Sequence, residues 1–433
     1  MDSAGDQGTA YRRKKPVLLA VALFVVYAAL MLAYLVYTAP ITVPAEYAGT
    51  AADPATYMSA EQMKKTESLR LWRRWLAFVI PAWTWLVFWV LIAGGFAARW
   101  RDALERRRLP RVLRYALYAL LVWTAASLAA LPLHLASHYV NVCHGVAAPA
   151  YSGWLMDYAT SFVLDYLAVL LLAGTAQWLM SRHRRWKLKL WLITVPLGVF
   201  YVFIHPVWIA PLYETVKPLS DERVERAVRD LAARANVAVG QIYEQEMSSV
   251  TSVANAHVTG IGSTLRIVIW DTALDSWSDE ELLFTLAHEM GHIVKRHMLI
   301  QTVYALLGTL VLIGIGGWMY ERFAGKWGAR WGIRKPSDMA GLPLLLLLGL
   351  FLMFATQPAD MALSRYQERE ADRYAMELTG FARARISQIH KYLSTALQDP
   401  NPPRLYHWWF STHPSYMERM VTAMRFEEEK GGR

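Results

Sequence analysis

The sequence predicts a mainly α-helical membrane protein with seven transmembrane helices and a polar α+β domain assembled from two separated segments. Of its 433 residues, 55% are hydrophobic and 19 are tryptophan, which is more apolar side chain than a single soluble core normally uses. Seven apolar runs are long enough to cross a bilayer, since a spanning helix needs about 20 residues. The polar residues fall mainly into two stretches that the last two apolar runs separate.

The predicted membrane spans set the domain organisation. Five precede the first polar stretch and two follow it, at residues 16–38, 76–97, 115–136, 158–180, 188–209, 299–320 and 339–358. We therefore expect residues 1–210 to hold five spans with their loops and residues 299–358 to hold the last two spans. The polar domain then consists of residues 211–298 and 359–433.

The first polar stretch contains the signals of a small α+β fold. Residues 221–237 mix charged and apolar side chains with helical periodicity. Residues 253–270 contain two apolar runs around a glycine-rich turn, which is typical of paired strands. Ser278 is followed three residues later by Glu281, and this capping box predicts the start of another helix.

The net charge of +10 comes largely from loops. Lysine and arginine accumulate at residues 12–15, 99–114, 182–189 and 322–335, which a seven-span chain places on one side of the membrane. The positive-inside rule assigns that side to the cytoplasm and the polar domain to the opposite side. Because orientation in a bilayer explains the charge, no nucleic-acid partner is expected. The single cysteine excludes an intramolecular disulfide.

The last predicted helix of the first polar stretch carries TLAHEMGHIVKRH, residues 285–297. On a helix, His288 and His292 project about 40° apart, one turn above the other, so both imidazoles can reach one metal ion. Glu289 can reach a water molecule bound to that ion. This HExxH arrangement is typical of zinc sites that hydrolyse peptide bonds. His297 is expected about 180° from His288, pointing away from the metal.

The sequence after the last span supplies candidates for the third protein ligand that a hydrolytic zinc site needs. In SRYQEREADRYA, residues 364–375, Glu368 and Asp372 share one helix face. Glu368 can complete a site of two histidines and one glutamate, while Asp372 can hydrogen-bond a ligand imidazole. Glu370 is expected to face solvent.

Five sequence blocks together resemble one family of membrane proteases. They are APLYETVKPL at 210–219, NAHVTG at 255–260, HEMGH at 288–292, SRYQEREAD at 364–372 and THPSYMER at 412–419. In their order and spacing, and in the seven predicted spans, they resemble the type I CAAX prenyl endopeptidases, which are integral membrane zinc metalloproteases. The resemblance extends over nearly the whole chain.

The resemblance implies a mechanism of metal-assisted peptide hydrolysis. It implies one Zn²⁺ held by His288, His292 and Glu368, with Asp372 hydrogen-bonded to a ligand. Glu289 is then the general base that takes a proton from the water and delivers it to the leaving amine.

The remaining matched residues are implied to contact the substrate. His413 and Arg419 are expected to line the site and to stabilise the negative charge of the tetrahedral intermediate. Asn255 and Ala256 are expected to belong to an edge strand that pairs with the substrate backbone.

We therefore expect an integral membrane zinc metalloendopeptidase of a prokaryotic cell membrane, whose partners are membrane lipids and membrane-associated, prenylated or CAAX-like peptides. One alternative is a quality-control protease without prenyl specificity. Another is a non-catalytic seven-helix carrier or scaffold with a structural zinc site, which needs four protein ligands and no general base. Eukaryotic family members hold the zinc domain on the cytosolic side, whereas the loop charges favour the exoplasmic side, so the orientation stays open.

Overall fold

The structure, a computed structural model, describes residues 3–147, 150–200, 216–248, 254–259 and 265–431. It contains two compact units, each made of three chain segments. Unit 1 comprises Met1–Ala39, Leu71–Thr194 and Leu307–Thr356, and unit 2 comprises Pro40–Arg70, Val195–Leu306 and Gln357–Arg433.

Long helices make up most of unit 1. The first six helices of the chain are α1 (Ser3–Tyr37), α2 (Ala60–Ala93), α3 (Phe96–Glu105), α4 (Arg111–Cys143), α5 (Tyr151–Arg182) and α6 (Trp186–Val199). Two later helices also contribute, α10 (His297–Trp331) and α11 (Leu342–Thr379), the second preceded by a 3-10 turn at Met339–Gly341. The division between the units falls within α2, α6, α10 and α11.

Six helices in the described part of the chain are long and apolar enough to cross a membrane, and they confirm six of the predicted spans. They are α1, α2, α4, α5, α10 and α11. The remaining prediction, residues 188–209, begins within α6, but its second half lies outside the described residues. Many apolar side chains of α1 and α10 are exposed, as a lipid-facing surface requires, among them Leu18, Leu23, Leu30, Leu307 and Val311.

Aromatic and small side chains fill the core of unit 1. Tyr118 and Phe88 are fully buried beside the alanines of α4 and α5, where the small residues let the helices approach closely. One buried ion pair accompanies this core, because Arg101 Nη1 donates to Asp338 Oδ2 at 2.5 Å and to the Gly332 carbonyl at 2.7 Å. Both charges are therefore paired where water is excluded.

Unit 2 is an α+β unit with a small mixed sheet. Its strands are β1 (Val216–Pro218), β2 (Ile242–Gln245), β3 (Ala256–Thr259) and β4 (Arg266–Trp270), in the order β1-β2-β4-β3. β2 and β4 are parallel, whereas β1 pairs with β2 and β3 pairs with β4 in the antiparallel sense. The predicted strand pair within residues 253–270 is confirmed.

Six further helices belong to unit 2. They are α7 (Glu222–Arg234), α8 (Asp271–Ser276), α9 (Asp279–Val294), α12 (Ala382–Ala396), α13 (Arg404–Phe410) and α14 (Tyr416–Gly431). α7 confirms the helix predicted in residues 221–237, and the Asp221 carboxylate caps its N-terminus. α9 begins at the predicted capping box, in which the Ser278 and Glu281 side chains each bind the other residue's backbone N–H.

The core of unit 2 joins the sheet to the helices that carry the site. Ile267 and Ile269 of the central strand β4 are fully buried with Val228 of α7 and with Phe284 and Leu286 of α9. A burial of this kind stabilises the fold by about 1.5–3 kcal/mol for each large apolar side chain. The HExxH helix therefore rests on a rigid support.

Residues 40–70 also pack within unit 2, although they lie in sequence between the first two predicted spans. The His390 ring of α12 donates from Nε2 to the Ala51 carbonyl at 2.7 Å and stacks on Tyr57 with ring centroids 4.1 Å apart. Arg70 donates from Nε and Nη2 to the Leu397 carbonyl at 2.8 and 2.6 Å. This segment thus supports α12 and α14, and its fully buried Ala52 lies in one apolar cluster with side chains of both helices.

Candidate metal centre and active site

Helix α9 places two imidazoles side by side. His288 and His292 lie one turn apart, and their Nε2 atoms are 3.2 Å from each other. His288 is buried, while the His292 side chain keeps 26% of its surface exposed. Because both rings present Nε2 to the same point, each has its Nδ1 turned toward the surrounding protein.

Helix α11 brings a carboxylate to the same point. Glu368 Oε2 lies 3.2 Å from His288 Nε2, and Glu368 Oε1 lies 3.5 Å from His292 Nε2. The three candidate ligand atoms all lie within 4.8 Å of one another. α11 is one continuous helix from Leu342 to Thr379, so the acidic motif predicted to follow the last span lies on the same helix as that span.

Gly291 allows α9 and α11 to approach each other closely. A Cβ atom at this position would lie 3.2 Å from Ala371 Cα and 3.1 Å from the Tyr374 ring. Contacts this short are tighter than most, so a side chain at Gly291 would push Ala371 and Tyr374 away by a few tenths of an ångström and widen the separation of the two helices. That separation decides whether Glu368 reaches the two imidazoles.

The donor set fits a bound cation. Glu368 Oε2 is buried, and two imidazole nitrogens face it, His288 Nε2 at 3.2 Å and His413 Nδ1 at 2.6 Å. Two imidazoles and one carboxylate are the ligand types that divalent zinc prefers. A cation at this point would satisfy the carboxylate oxygen and both Nε2 lone pairs at once.

Asp372 holds the first imidazole from behind. Its Oδ1 atom lies 2.9 Å from His288 Nδ1, which donates to it when Nε2 faces a metal ion. Arg419 donates two hydrogen bonds to the same carboxylate, from Nε at 2.6 Å and from Nη2 at 2.7 Å. A second guanidinium, of Arg385, lies 3.6 Å from Asp372 Oδ1.

The charges of this buried group alter its proton affinities. Burial opposes the charged imidazolium, but the hydrogen bond with Asp372 and the nearby Glu368 carboxylate outweigh it and raise the pKa of His288 to about 9. Burial and the neighbouring Arg419 charge lower the pKa of Arg385 to about 10. A metal ion entering at neutral pH therefore has to displace a proton from His288.

His413 reaches the site from the loop before α14. Its Nδ1 lies 2.6 Å from Glu368 Oε2, and about half of its side chain is exposed. The beginning of the SRYQEREAD block holds this loop, because Ser364 Oγ donates to the Thr412 carbonyl at 2.8 Å. Arg365 Nη1 donates to the Ser411 carbonyl at 2.9 Å. One helix thus supplies a candidate ligand and anchors the loop that carries His413.

Asn255 and Ala256 lie on the sheet edge nearest to α9. β3 begins at Ala256, packs against α9 and is a terminal strand of the sheet formed by the described residues. Asn255 is exposed and accepts a hydrogen bond from the Trp270 N–H at 3.0 Å. The structure therefore brings the predicted substrate strand beside the HExxH helix.

Two expectations about neighbouring residues are wrong. His297 does not point away from the site, since its Nδ1 lies 2.9 Å from His292 Nδ1. Glu370 does not simply face solvent, since its Oε2 lies 3.3 Å from His297 Nε2. The physical reason is Arg296, whose φ of +57° ends α9 and turns the next residue back toward His292.

Comparison with known proteins shows the family. The chain matches peptidase family M48 over residues 218–426 and the CAAX prenyl protease N-terminal region, described as five membrane helices, over residues 34–215. It is 33% identical over 410 residues to the uncharacterized metalloprotease YhfN of Bacillus subtilis (strain 168), covering 93% of this chain and 95% of that protein. The chain belongs to the type I CAAX prenyl proteases of peptidase family M48.

Other members of this protease family are similar over most of the chain. CAAX prenyl protease 1 of Saccharomyces cerevisiae is 29% identical over 333 residues, or 72% of each chain. The crystal structure of S. mikatae Ste24p superposes with a TM-score of 0.74 and 21% identity, covering 94% of this chain and 98% of that one. The resemblance drawn from the five sequence blocks is confirmed, and the protein is a multi-pass membrane metalloprotease.

Proposed function

We propose that the protein is a zinc-dependent membrane endopeptidase in which His288, His292 and Glu368 hold one Zn²⁺. The observation that carries this proposal is the convergence of three candidate ligand atoms, from two imidazoles and one buried carboxylate, which all lie within 4.8 Å of one another. Family membership supports the metal and the reaction class. When bound, zinc polarises the scissile carbonyl and lowers the pKa of its water to about 7.

The protein's own groups then move the protons and stabilise the charge. Glu289 lies between the two histidines in the sequence, and its side chain is half-buried. It takes a proton from the attacking water and gives it to the leaving amine nitrogen. His413, half exposed beside Glu368, donates to the developing oxyanion. Arg419 adds positive charge to the same neighbourhood, although its observed hydrogen bonds go to Asp372, which orients His288.

The substrate that suits this arrangement is an extended peptide. β3 is a terminal strand of the sheet formed by the described residues, so a peptide that adds to this strand at Asn255 and Ala256 would lie next to the HExxH helix. We propose membrane-associated proteins as the substrates, including prenylated or CAAX-like ones, because relatives carry the name CAAX prenyl protease 1. Cleavage of misfolded membrane proteins without prenyl recognition is the second candidate.

A structural zinc site in a carrier or scaffold is a poorer explanation. Such sites are closed by four protein ligands. The metal-binding group found among the described residues has three ligands, and Glu289 is adjacent to one of them in sequence. We also propose that residues 211–298 and 359–433 form the catalytic domain together, since both segments lie largely within unit 2 and each supplies candidate ligands.

Removal of the metal should abolish peptide cleavage reversibly. Purified protein treated with a chelator is expected to lose cleavage of a quenched membrane-anchored peptide, and one equivalent of zinc should restore it. The secondary structure should persist throughout, because the apolar core of unit 2 does not involve the ligands. Paired peptides with and without a prenyl group measure the specificity. Full activity in protein proven metal-free would refute the proposal.

We further propose that unit 2 faces the exoplasmic side, as the basic loops indicate. In a Cys143→Ala background, Glu222→Cys on the exposed face of α7 should react with a membrane-impermeant thiol reagent in intact cells. The matched control, Arg107→Cys in a basic loop, should react only after lysis. The opposite labelling pattern would place the catalytic unit in the cytoplasm, on the side where prenylated substrates lie.

A further inference from the structure

We propose that His297 and Glu370 position the second zinc ligand, His292, through a chain of hydrogen bonds. This inference rests on the proposed metal site and goes beyond its ligand set. His292 Nδ1 and His297 Nδ1 are 2.9 Å apart, and His297 Nε2 is 3.3 Å from Glu370 Oε2. The hydrogen bonds thus run from Glu370 at the rim of the site, through His297, to His292 at the metal position.

The geometry defines where each proton lies. If His292 binds metal through Nε2, its Nδ1 carries hydrogen and must donate. The acceptor 2.9 Å away is His297 Nδ1, which therefore has a free lone pair. A neutral His297 then carries its proton on Nε2 and donates it to Glu370. Each of the two hydrogen bonds, His292 to His297 and His297 to Glu370, therefore has one donor and one acceptor.

Burial makes this arrangement specific. His297 is only 2% exposed, so its ring is held within the protein, whereas the Glu370 side chain is 32% exposed. The positive φ of Arg296 turns His297 back toward α9, and α11 supplies the carboxylate. A neutral imidazole that accepts the Nδ1 proton of His292 would fix the plane of the His292 ring.

Carboxylates of one helix, α11, would thus orient both histidine ligands. Asp372 of α11 contacts His288 Nδ1 directly, at 2.9 Å. Glu370, two residues earlier on α11, acts on His292 through one intervening imidazole. Three alternate residues of α11 would then contribute to the metal site. Glu368 would bind the metal, and Glu370 and Asp372 would orient the two histidine ligands.

Zinc affinity of a matched pair of variants tests the inference. His297→Asn keeps an acceptor oxygen near the Nδ1 position, whereas His297→Leu fills a similar volume without an acceptor. Competition with a chromophoric chelator should show zinc binding about 10–100-fold weaker in His297→Leu, the usual effect of losing an outer hydrogen-bond partner. His297→Asn should recover most of that loss.

A second pair of variants, at Glu370, leaves the buried His297 unchanged. Glu370→Gln retains a carbonyl acceptor for His297 Nε2–H, so it should bind zinc nearly as tightly as the parent, and Glu370→Leu should bind it more weakly. Thermal unfolding of the metal-free proteins serves as the folding control. A role confined to packing predicts that His297→Leu and Glu370→Leu lower metal-free stability without a selective loss of zinc affinity.

The outcomes separate this inference from the function on which it rests. If the parent binds zinc and His297→Leu binds it equally well, the inference is overturned while the metal site stands. The inference is also overturned if His297→Asn is as weak as His297→Leu and both Glu370 variants match the parent. A parent protein that takes up no zinc would overturn the proposed function and this inference with it.

Discussion

Replacing Glu289 with glutamine is expected to abolish peptide hydrolysis while zinc remains bound. Glutamine has nearly the same shape but cannot accept and return a proton, and removal of a general base typically costs about 10²–10⁴-fold in rate. His288, His292 and Glu368 are unchanged, so the metal content should match that of the parent. The measurement is the initial rate of peptide cleavage at equal zinc occupancy.

Glu280→Gln is the matched control for this substitution. Glu280 is an exposed carboxylate in the first turn of the same helix, α9, far along the helix from the two histidines. It should retain the parent rate. Equal cleavage rates for Glu289→Gln and the parent would show that another group acts as the base, and loss of zinc from Glu289→Gln would assign this residue to the metal instead.

Asp372→Ala is expected to cause the largest loss of stability. It removes the carboxylate that faces two guanidinium groups, those of Arg419, whose side chain is 6% exposed, and of Arg385, whose side chain is 14% exposed. Leaving a buried charge without its partner typically costs about 3–5 kcal/mol. It also removes the acceptor from His288 Nδ1, so zinc should bind about 10–100-fold more weakly.

The measurements for this prediction are denaturant unfolding of the metal-free protein and zinc affinity by competition. Glu377→Ala provides the control, since Glu377 lies on the same helix and forms an exposed ion pair with Arg373. Such pairs contribute only about 0–1 kcal/mol. If Asp372→Ala were no less stable than Glu377→Ala, water or another anion would have to reach the guanidinium groups.

Helical patterns account for the parts of the fold that the sequence predicts well. Apolar runs identified six spans because lipid selects on length and hydropathy, which are local properties. The start of α9 was predictable because the Ser278 and Glu281 side chains satisfy backbone groups within their own helix. The site pattern of His288, His292 and Glu368 was visible for the same reason, since each motif lies on one helix face.

The features that escaped prediction depend on tertiary structure. The contact between His297 and His292 requires Arg296 to adopt a left-handed conformation, and a non-glycine residue gives no sequence signal for it. A helix continued through KRH would have placed His297 on the opposite face. Residues 40–70 likewise resemble an ordinary interhelical loop, because their partners, such as His390 and Leu397, lie more than 300 residues later.

The separation of the ligands along the chain has a consequence for biosynthesis. Glu368 lies 76 residues after His292 (368 minus 292), and α10 with the apolar part of α11 lies between them. If Glu368 completes the proposed zinc site, the two histidines emerge first during translation and lack their third ligand until the last two apolar helices have been made. With that ligand set, a nascent chain would become a protease only after those helices had been synthesised, so the order of synthesis itself would delay proteolytic activity.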